Sequence, residues 1–400
     1  MSIQRADSAT SAPQWSRPRE RVLGGYSVEG PDGRPAELRH HLVAGDRLTS
    51  QQLEEMSAIL QRAFHGWPDF EIPVSPAEHL RWKVEGPGRW VNSARFTEGP
   101  AGMIGLGVDV GREVRIRGLD ALARVGADSS VDPVWQGRGV AYGRRELNRH
   151  YERERFAMTF GTTAHPRGVL HRPDNRELGN PIQVLVLALH PWRLAATWRR
   201  ATGRGLPRAL VAVALGGAGL VALSARLRRH RVPAGVSLRE AERFDERADE
   251  LFDLAATPFD FIVTRRHDYL NWRYADRRAG TYRIVLAEQG TTLVGYAVTR
   301  VDGDRGYLVD LLAPPGRDDV LDALLGDAVA RMRAAGVSGV MCWLIAHHPF
   351  RRQLRRYGFV NSRRNPNFTH HATGVSEAEI AFLQQSRARI HLMHGDSDVI

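Results

Sequence analysis

Residues 129–141 have the sequence SSVDPVWQGRGVA, and this stretch decides how the rest of the chain is interpreted. It follows a predicted strand and opens a helical pattern formed by Val140, Leu147 and Tyr151. Glycine is favoured where the backbone takes a positive φ or must approach a ligand closely. In a loop that leads into a helix, successive amides and the positive end of the helix dipole attract an anion. The stretch therefore predicts a pyrophosphate-binding loop, and the alternative interpretation is a plain β–α turn.

Patterns on both sides of this loop predict alternating strands and helices. Residues 49–65 place apolar side chains at helical spacing, and Thr49 or Ser50 is a suitable N-cap. Further helices are expected near 139–155, 318–335 and 349–357, and strands at 103–110, 121–125, 156–160, 282–288, 293–300, 306–313 and 339–345. This order indicates an α/β (α+β) fold.

The two halves of the chain share an ordered series of short matches. A segment with an acid, Leu-x-Trp and a base recurs at an offset of 190 residues, so that Trp82 corresponds to Trp272. A second match has the same offset, and a third follows at a slightly shorter one. The matched segments are 78–83 with 268–273, 104–108 with 294–298, and 164–167 with 347–350. The series predicts two units of about 150 residues, which is an ordinary domain size. A shared packing role is the simpler explanation of the two tryptophans, and substrate stacking is the alternative.

The loop at 129–141 resembles the acyl-CoA loop of the GCN5-related N-acetyltransferase (GNAT) superfamily, which has the form Gln/Arg-x-x-Gly-x-Gly/Ala after a Val-x-Pro strand end. The matching residues are Gln136, Gly139 and Ala141, with Val131 and Pro133 in the lead. The resemblance is tight over 13 residues and extends in strand–helix order over about 150. It implies that acetyl-CoA or another acyl-CoA is the co-substrate. Backbone groups near Val131 would pair with the pantetheine arm, and the pyrophosphate would lie on the amides of Gln136, Gly137, Arg138, Gly139, Val140 and Ala141.

The corresponding loop of the second unit departs from this pattern. Residues 313–319 read APPGRDD, so two prolines lack amide donors and two aspartates place negative charge where a pyrophosphate would lie. We therefore expect one CoA site per chain. By resemblance to tandem members of the family, the second, degenerate unit helps to form the acceptor cleft.

Length and composition set the expected domain organisation. A chain of 400 residues is too long for one ordinary domain. The predicted parts are a flexible leader at 1–20, a GNAT domain with the acyl-CoA loop at 38–192, an arginine-rich apolar linker of helices at 193–235, a degenerate GNAT-like domain at 236–370, and a C-terminal tail at 371–400.

Acid–base residues are harder to identify than the loop. Asp128 lies just before the strand end, where it could face an acceptor amine, and His165 follows the 156–163 strand with a suitable unperturbed pKa. The alternative interpretations are a turn aspartate and a loop histidine without a catalytic role. A thiolate-protonating tyrosine, usual in the family, is missing from residues 167–172, where His171 is a weak substitute.

Several other kinds of chemistry are disfavoured. The single cysteine, Cys342, cannot form an internal disulfide, and no apolar signal-peptide core is present, which predicts a cytoplasmic location. His347 and His348 are adjacent and poorly spaced for a metal with Cys342, so no metal is expected. A Gly-x-Ser-x-Gly elbow is absent, which disfavours a hydrolase.

The positive charge is local. The net charge is +11, but residues 193–231 carry nine arginines and no acid, whereas the rest has 47 basic and 45 acidic residues. Nucleic-acid binding is therefore not expected. Residues 209–225 form a 17-residue uncharged run, which is short for a membrane span of about 20 residues. The open interpretations are a buried helical hairpin, a helix on an anionic membrane surface with peripheral association, and a true span.

These observations predict an acyl-CoA-dependent N-acyltransferase, with acetyl as the expected acyl group. The expected acceptor is a primary amine of a small molecule, an amino sugar or an envelope precursor. Two alternatives remain. A FemX-like aminoacyl transferase would not need the intact loop, and a non-catalytic acyl-CoA-sensing or scaffold protein would not need the missing tyrosine.

Overall fold

The computed structural model describes residues 21–86, 92–143, 147–148, 152, 156–163, 175–190, 193, 232–362 and 366–397. Within these ranges the chain forms two β-sheets, one of ten strands and one of seven. Helices pack against both sheets, so the fold is mixed α/β as predicted.

The first sheet starts with antiparallel strands and continues with a parallel pair. The antiparallel strands are β1 (Arg21–Glu29), β2 (Pro35–Ala44), β3 (Ser93–Gly99), β4 (Gly102–Ile116) and β5 (Leu119–Val131). Strand β6 (Met158–Thr163) then lies parallel to β5. A parallel pair needs a crossover connection, and the helical residues 140–143, 147–148 and 152 lie in it. Short strands β7 (Arg176–Glu177), β10 (Phe261–Val263) and β17 (Ile390–His391) also belong to this sheet.

The second sheet has a closely similar order. Its antiparallel strands are β9 (Val236–Ala241), β11 (Arg283–Gln289), β12 (Thr292–Asp302) and β13 (Arg305–Leu312). Strand β14 (Gly339–Ile345) is parallel to β13, which repeats the relation of β6 to β5. Both sheets therefore contain a run of antiparallel strands that ends in a parallel pair.

Each sheet is completed by a strand from the other half of the chain. Strand β8 (Ile182–Ala188) pairs with β14 of the second sheet, and the short β15 (Val360–Asn361) pairs with β8 in turn. In the first sheet, β16 (Asn367–Ala372) pairs with β6. The two halves therefore exchange strands and share hydrogen bonds along both sheets.

Helix capping follows from local sequence. Helix α1 (Ser50–Phe64) starts at a capping box between Thr49 and Gln52, which confirms the predicted N-cap. Helix α2 (Pro76–Glu85) starts at a second box, between Ser75 and Glu78. The remaining helices with defined ends are α3 (Arg247–Ala255), α4 (His267–Leu270), α5 (Asp318–Ala334), α6 (Arg351–Arg356) and α7 (Glu377–Ile380).

The predicted domain limits differ from the strand pairing in three places. The first sheet begins at Arg21 rather than at 38, because β1 pairs with β2 along its length. The range 38–192 includes β8, which belongs to the second sheet. Part of the predicted tail at 371–400 is core, since Leu392 and Met393 are each only 1% exposed. Exchange of strands between distant segments cannot be seen in local patterns, which explains these differences.

The predicted leader at 1–20 and nearly all of 193–231 lie outside the described residues. In the part of the chain that the structure describes, we find no helix with the length and apolar character needed to cross a membrane.

Candidate functional site

Residues 129–141 form the predicted strand, loop and helix start. Strand β5 ends at Val131, a short 3-10 turn covers Pro133–Trp135, and helical backbone begins at Val140. Gly137 and Gly139 have φ angles of 79° and 85°, a region that is costly for residues with a Cβ atom. The two glycines are thus required by the path of the loop.

Five successive amides in this loop are available to a ligand. In the described part of the chain, the amides of residues 137–141 have no hydrogen-bond acceptor. The next two, of Tyr142 and Gly143, donate to the carbonyl of Gly139 and begin the helix. Unsatisfied amides at a helix start, together with the helix dipole, form a binding place for an anion.

Side chains brace this loop from outside. Gln136 donates from Nε2 to the Val131 carbonyl over 3.1 Å, and Arg138 donates from Nη1 to the Gly30 carbonyl over 2.8 Å. The Tyr26 hydroxyl donates to the Val140 carbonyl over 2.9 Å. The side chains of Gln136 and Arg138 therefore fix the loop, while its backbone amides remain available.

A bulge lies in β5 just before the loop. Val108 pairs with Ala127 and Leu106 with Ser130, so Asp128 and Ser129 together face the single residue Gly107. Asp128 has a φ of 48°, which is unusual for a residue other than glycine. Such bulges redirect side chains and are frequent next to active sites.

Strands β5 and β6 separate beyond this point. Their pairing covers three positions and ends at Val125 and Phe160, although β5 continues to Val131 and β6 to Thr163. A Cβ atom added at Gly161 would meet nothing within 4 Å. Among the described residues, nothing fills the space beside the bulge, between the two strand ends.

Asp128 is held by two partners from the first half. Its Oδ2 accepts from Lys83 Nζ over 2.7 Å, and its Oδ1 accepts from Trp67 Nε1 over 2.8 Å. The side chains of Lys83 and Asp128 are 6% and 7% exposed, so the ion pair is almost completely desolvated. The ion pair thus lies directly beside the bulge.

A cleft opens between the two halves on the same side. It is lined by Phe70, His79, Trp82, Lys83, Val110, Arg112, Ala127, Trp272, Arg273 and Ser397. Trp82 on α2 and Trp272, in the π-helical segment Asn271–Ala275, stack with ring centroids 4.8 Å apart. Burial, reinforced by the charge of Lys83, lowers the pKa of His79 to about 3. His79 is therefore neutral at pH 7, and its Nδ1 donates to the Arg278 carbonyl over 2.6 Å.

The second loop has no comparable free amides at its helix start. The Asp319 carboxylate bonds to Arg317 over 3.0 Å and accepts from backbone amides at the start of α5, including that of Val320. The side-chain bond with Arg317 is the main cause that lowers the pKa of Asp319. The chain's own carboxylate thus takes the place that an anion would take.

The gap between β13 and β14 is also filled. These strands pair from Arg305 to Leu308 and then separate, but residues 390–397 occupy the space. His394 stacks on Trp343 with ring centroids 4.2 Å apart, and Asp396 bonds to Arg265 over 2.6 Å. A Cβ atom at Gly395 would lie 1.9 Å from the Tyr274 hydroxyl, so the filling is tight.

The predicted site residues divide into those that the structure brings together and those that it does not describe. Val131 and residues 136–141 form one loop, and Asp128 lies in the adjoining bulge. His165 lies outside the described residues.

Sequence reasoning missed Lys83, Arg112 and Arg273 as members of the cleft. One signal was present: Lys83 is the only lysine among 56 basic residues, which marks it out in so arginine-rich a chain.

No group of three or more metal-ligating side chains is found among the described residues. Cys342 is buried, and His348 bonds through Nε2 to Nδ1 of His391 over 2.9 Å. Cys342, His347 and His348 do not form such a group in the part of the chain that the structure describes.

No family model matches the sequence, and no curated protein is similar to it in sequence. Solved structures do match. A GCN5-related N-acetyltransferase from Anabaena variabilis has a TM-score of 0.56 at 11% identity, covering 84% of this chain and 73% of that one. The corresponding protein from Kribbella flavida has a TM-score of 0.52 at 13% identity, with 84% and 71% covered. N-myristoyltransferase from Saccharomyces cerevisiae, solved with bound myristoyl-CoA, has a TM-score of 0.54 at 12% identity, with 83% and 82% covered. The chain therefore has a GNAT-like fold.

Proposed function

We propose that this protein is an acyl-CoA-dependent N-acyltransferase that transfers an acetyl group to a primary amine. The observation that carries the proposal is the run of five amides at residues 137–141 that have no acceptor among the described residues, directly after a strand that separates from its parallel neighbour. A similar fold in yeast N-myristoyltransferase holds an acyl-CoA, which supports the same class of donor here.

The donor is expected to lie along β5 and the loop. The amides of residues 137–141 would bind the pyrophosphate, and the pantetheine arm would run beside Val131 into the gap next to Gly161. This path would place the thioester near the bulge at Asp128 and Ser129. The second loop and gap are filled by the protein itself, which supports one donor site per chain.

The acceptor is expected to enter through the cleft between the halves. In the reaction, the neutral amine attacks the thioester carbonyl carbon, the carbon–sulfur bond breaks, and the CoA thiolate takes up a proton. Asp128 is the group that we propose to receive the proton of the acceptor ammonium, because its carboxylate is adjacent to the bulge and fixed by Lys83. His165 stays a candidate for the proton that goes to the thiolate.

The proposed acceptor is the primary amine of a small molecule, an amino sugar or an envelope precursor. The proposed location is the cytoplasm. The arginines of 193–231 support a contact with an anionic membrane surface. At low salt we expect the full chain to bind vesicles rich in anionic lipid and not neutral vesicles. Equal amounts of protein bound to both kinds of vesicle would contradict this contact.

The test combines binding and turnover. Calorimetric titration with acetyl-CoA should give one site per chain, and thiol release should follow when a panel of primary amines is added. Absence of acetyl-CoA binding would overturn the proposal. Binding without thiol release on every amine would instead favour an acyl-CoA sensor.

A further inference from the structure

We infer that two copies of this chain associate through β1, the edge strand of the first sheet, which pairs in antiparallel orientation with β1 of the second copy. The strand runs from Arg21 to Glu29, and among the described strands it pairs with β2 alone. Addition of a strand to an exposed sheet edge is a common mode of protein association. This contact goes beyond the proposed acyl transfer and does not depend on it.

The backbone of β1 presents a row of hydrogen-bonding groups at its outer edge. The Gly30 amide donates to the Arg34 carbonyl over 2.7 Å and closes the β1–β2 hairpin. In an antiparallel ladder, bonded and non-bonded pairs alternate, so the backbone groups of Gly25, Ser27 and Glu29 point away from β2. All three residues are exposed, and their backbone groups form no bond with a turn or loop in the part of the chain that the structure describes. The edge can therefore accept another strand.

The sequence of β1 does little to protect this edge. Natural edge strands are usually blunted by lysine, proline or other charges, or covered by another element. The residues between Arg21 and Glu29 read VLGGYSV, without a charge or a proline. A bulge at Leu23 lies near one end and leaves residues 25–29 in regular register with β2. Val22 is 58% exposed and adds apolar surface beside the backbone groups.

The charges at the two ends of β1 select a second copy as the partner. Arg21 and Glu29 are both exposed. Two antiparallel β1 strands centred on Gly25 bring Arg21 of each copy beside Glu29 of the other, whereas a parallel pair would place like charges together. This register also places Val22 opposite Val28 of the second copy. It is self-complementary, as the two-fold symmetry of a dimer requires.

The size of the contact predicts a dimer in exchange with monomer. Stable interfaces bury about 1,200–2,000 Å² in total. Two strands of nine residues, with the side chains next to them, reach at most the lower part of that range. We therefore expect the fraction of dimer to depend on protein concentration.

The same strand braces the acyl-CoA loop. The Arg138 side chain donates to the Gly30 carbonyl, directly after β1, and the Tyr26 hydroxyl donates to the Val140 carbonyl. Leu147, in the helix that follows the loop, lies over Gly24, where an added Cβ atom would be 2.6 Å from its Cδ2. Because a two-fold axis between antiparallel strands is perpendicular to the sheet, the dimer would place both loops on one face, next to the interface.

The first test measures the mass of the full chain in solution. In sedimentation velocity, the average mass should rise from that of one chain toward that of two as the protein concentration increases. A single monomeric species at every concentration would overturn the inference.

Exchange of the end charges tests the register. Arg21→Glu and Glu29→Arg each place like charges together at both ends of the contact, and we expect each to raise the dimer dissociation constant at least about tenfold. The double variant exchanges the two charges and should restore the dimer. Glu54→Arg, at an exposed site on α1, has the same change in net charge as Glu29→Arg and should leave the dimer unchanged. A dimer that the single variants do not weaken, or that the double variant does not restore, would overturn the inference.

The backbone of Ser27 provides a test that does not rely on charge. Ser27→Pro removes an outward amide donor and no bond to β2, so it should weaken the dimer while dilute protein keeps a melting temperature near that of wild type. In wild type, hydrogen exchange of the Ser27 amide should slow as the protein concentration rises. Slow exchange at every concentration, as when another segment of the same chain covers the edge, would overturn the inference. None of these measurements uses CoA or an amine, so they decide the contact whether or not acyl transfer is found.

Discussion

Trp82 and Trp272, 190 positions apart, each donate the indole Nε1 hydrogen to the backbone carbonyl of the other, over 2.8 and 3.1 Å. The two halves therefore meet at Trp82 and Trp272, which correspond to each other in the sequence matches. The stacked rings form the floor of the cleft as well as the joint between the halves. A packing role, rather than stacking on a substrate alone, follows from this arrangement.

Replacing either tryptophan by phenylalanine should weaken the joint. Each variant loses one buried hydrogen bond between the halves, which we expect to cost roughly 1–3 kcal/mol in the free energy of unfolding. The double variant should cost less than the sum of the single variants, because they share one contact. Urea unfolding measures all three, and strict additivity would contradict the coupled arrangement.

Gly139→Ala should reduce the affinity for CoA. The φ of 85° becomes strained by about 1–2 kcal/mol, and the loop can relax only by moving its free amides. We expect the Kd for CoA, measured by calorimetry, to rise at least about tenfold. Gly316→Ala is the control, because Gly316 has a φ of 81° in the second loop and open space around it. The strain in Gly316→Ala should lower stability by a similar amount and leave the Kd for CoA unchanged. An equal rise in Kd for Gly139→Ala and Gly316→Ala would argue against the first loop as the CoA site.

Lys83→Met should lower both stability and activity. It leaves the Asp128 carboxylate buried without its cation, a change that costs about 3–5 kcal/mol in comparable buried pairs. Adding Asp128→Asn should recover much of the stability but not thiol release. Denaturant unfolding and the thiol assay measure the two effects. Full activity in the double variant would exclude Asp128 as the proton acceptor.

Stability should fall as the pH falls from 7 to 5. The pKa of His79 is about 3 in the folded protein against 6.5 in the unfolded chain, so the unfolded state takes up the proton first. The stability that neutral His79 contributes is fully present above pH 6.5 and is lost as the pH falls toward 3. The free energy of unfolding should therefore decrease by roughly 2 kcal/mol between pH 7 and pH 5. His79→Phe should be less stable at pH 7 but have a smaller pH slope. An unchanged slope would show that His79 does not contribute.

Gly395→Ala should disrupt the filled gap of the second half. The added methyl would lie 1.9 Å from the Tyr274 hydroxyl, and overpacking of this kind costs about 1–3 kcal/mol. Gly161→Ala, in the open gap of the first half, should leave stability unchanged because its Cβ meets nothing within 4 Å. Thermal unfolding compares the two. Equal melting temperatures would mean that the second gap is not tightly filled.

Local features were predictable, and long-range ones were not. The capping of α1 at Thr49 and the loop around Gly139 depend on neighbouring residues, so their patterns are visible in the sequence. The pairing of Lys83 with Asp128 and the position of Arg112 depend on β4, β5 and α2 coming together, which no local spacing specifies. The filling of the second gap by Gly395 was likewise hidden, because that segment lies outside the repeated pattern.

Strand exchange has a consequence for synthesis on the ribosome. The ribosome completes strand β6 at Thr163. Asn367 of β16, which pairs with Thr163, is synthesised 204 residues later. At ordinary elongation rates this is a wait of roughly 10–40 s, during which the edge of β6 has no native neighbour. Exposed strand edges attract other chains, so the nascent polypeptide needs protection in this interval. Neither half can be released as a finished product on its own, and truncated messages should yield aggregates rather than working single domains.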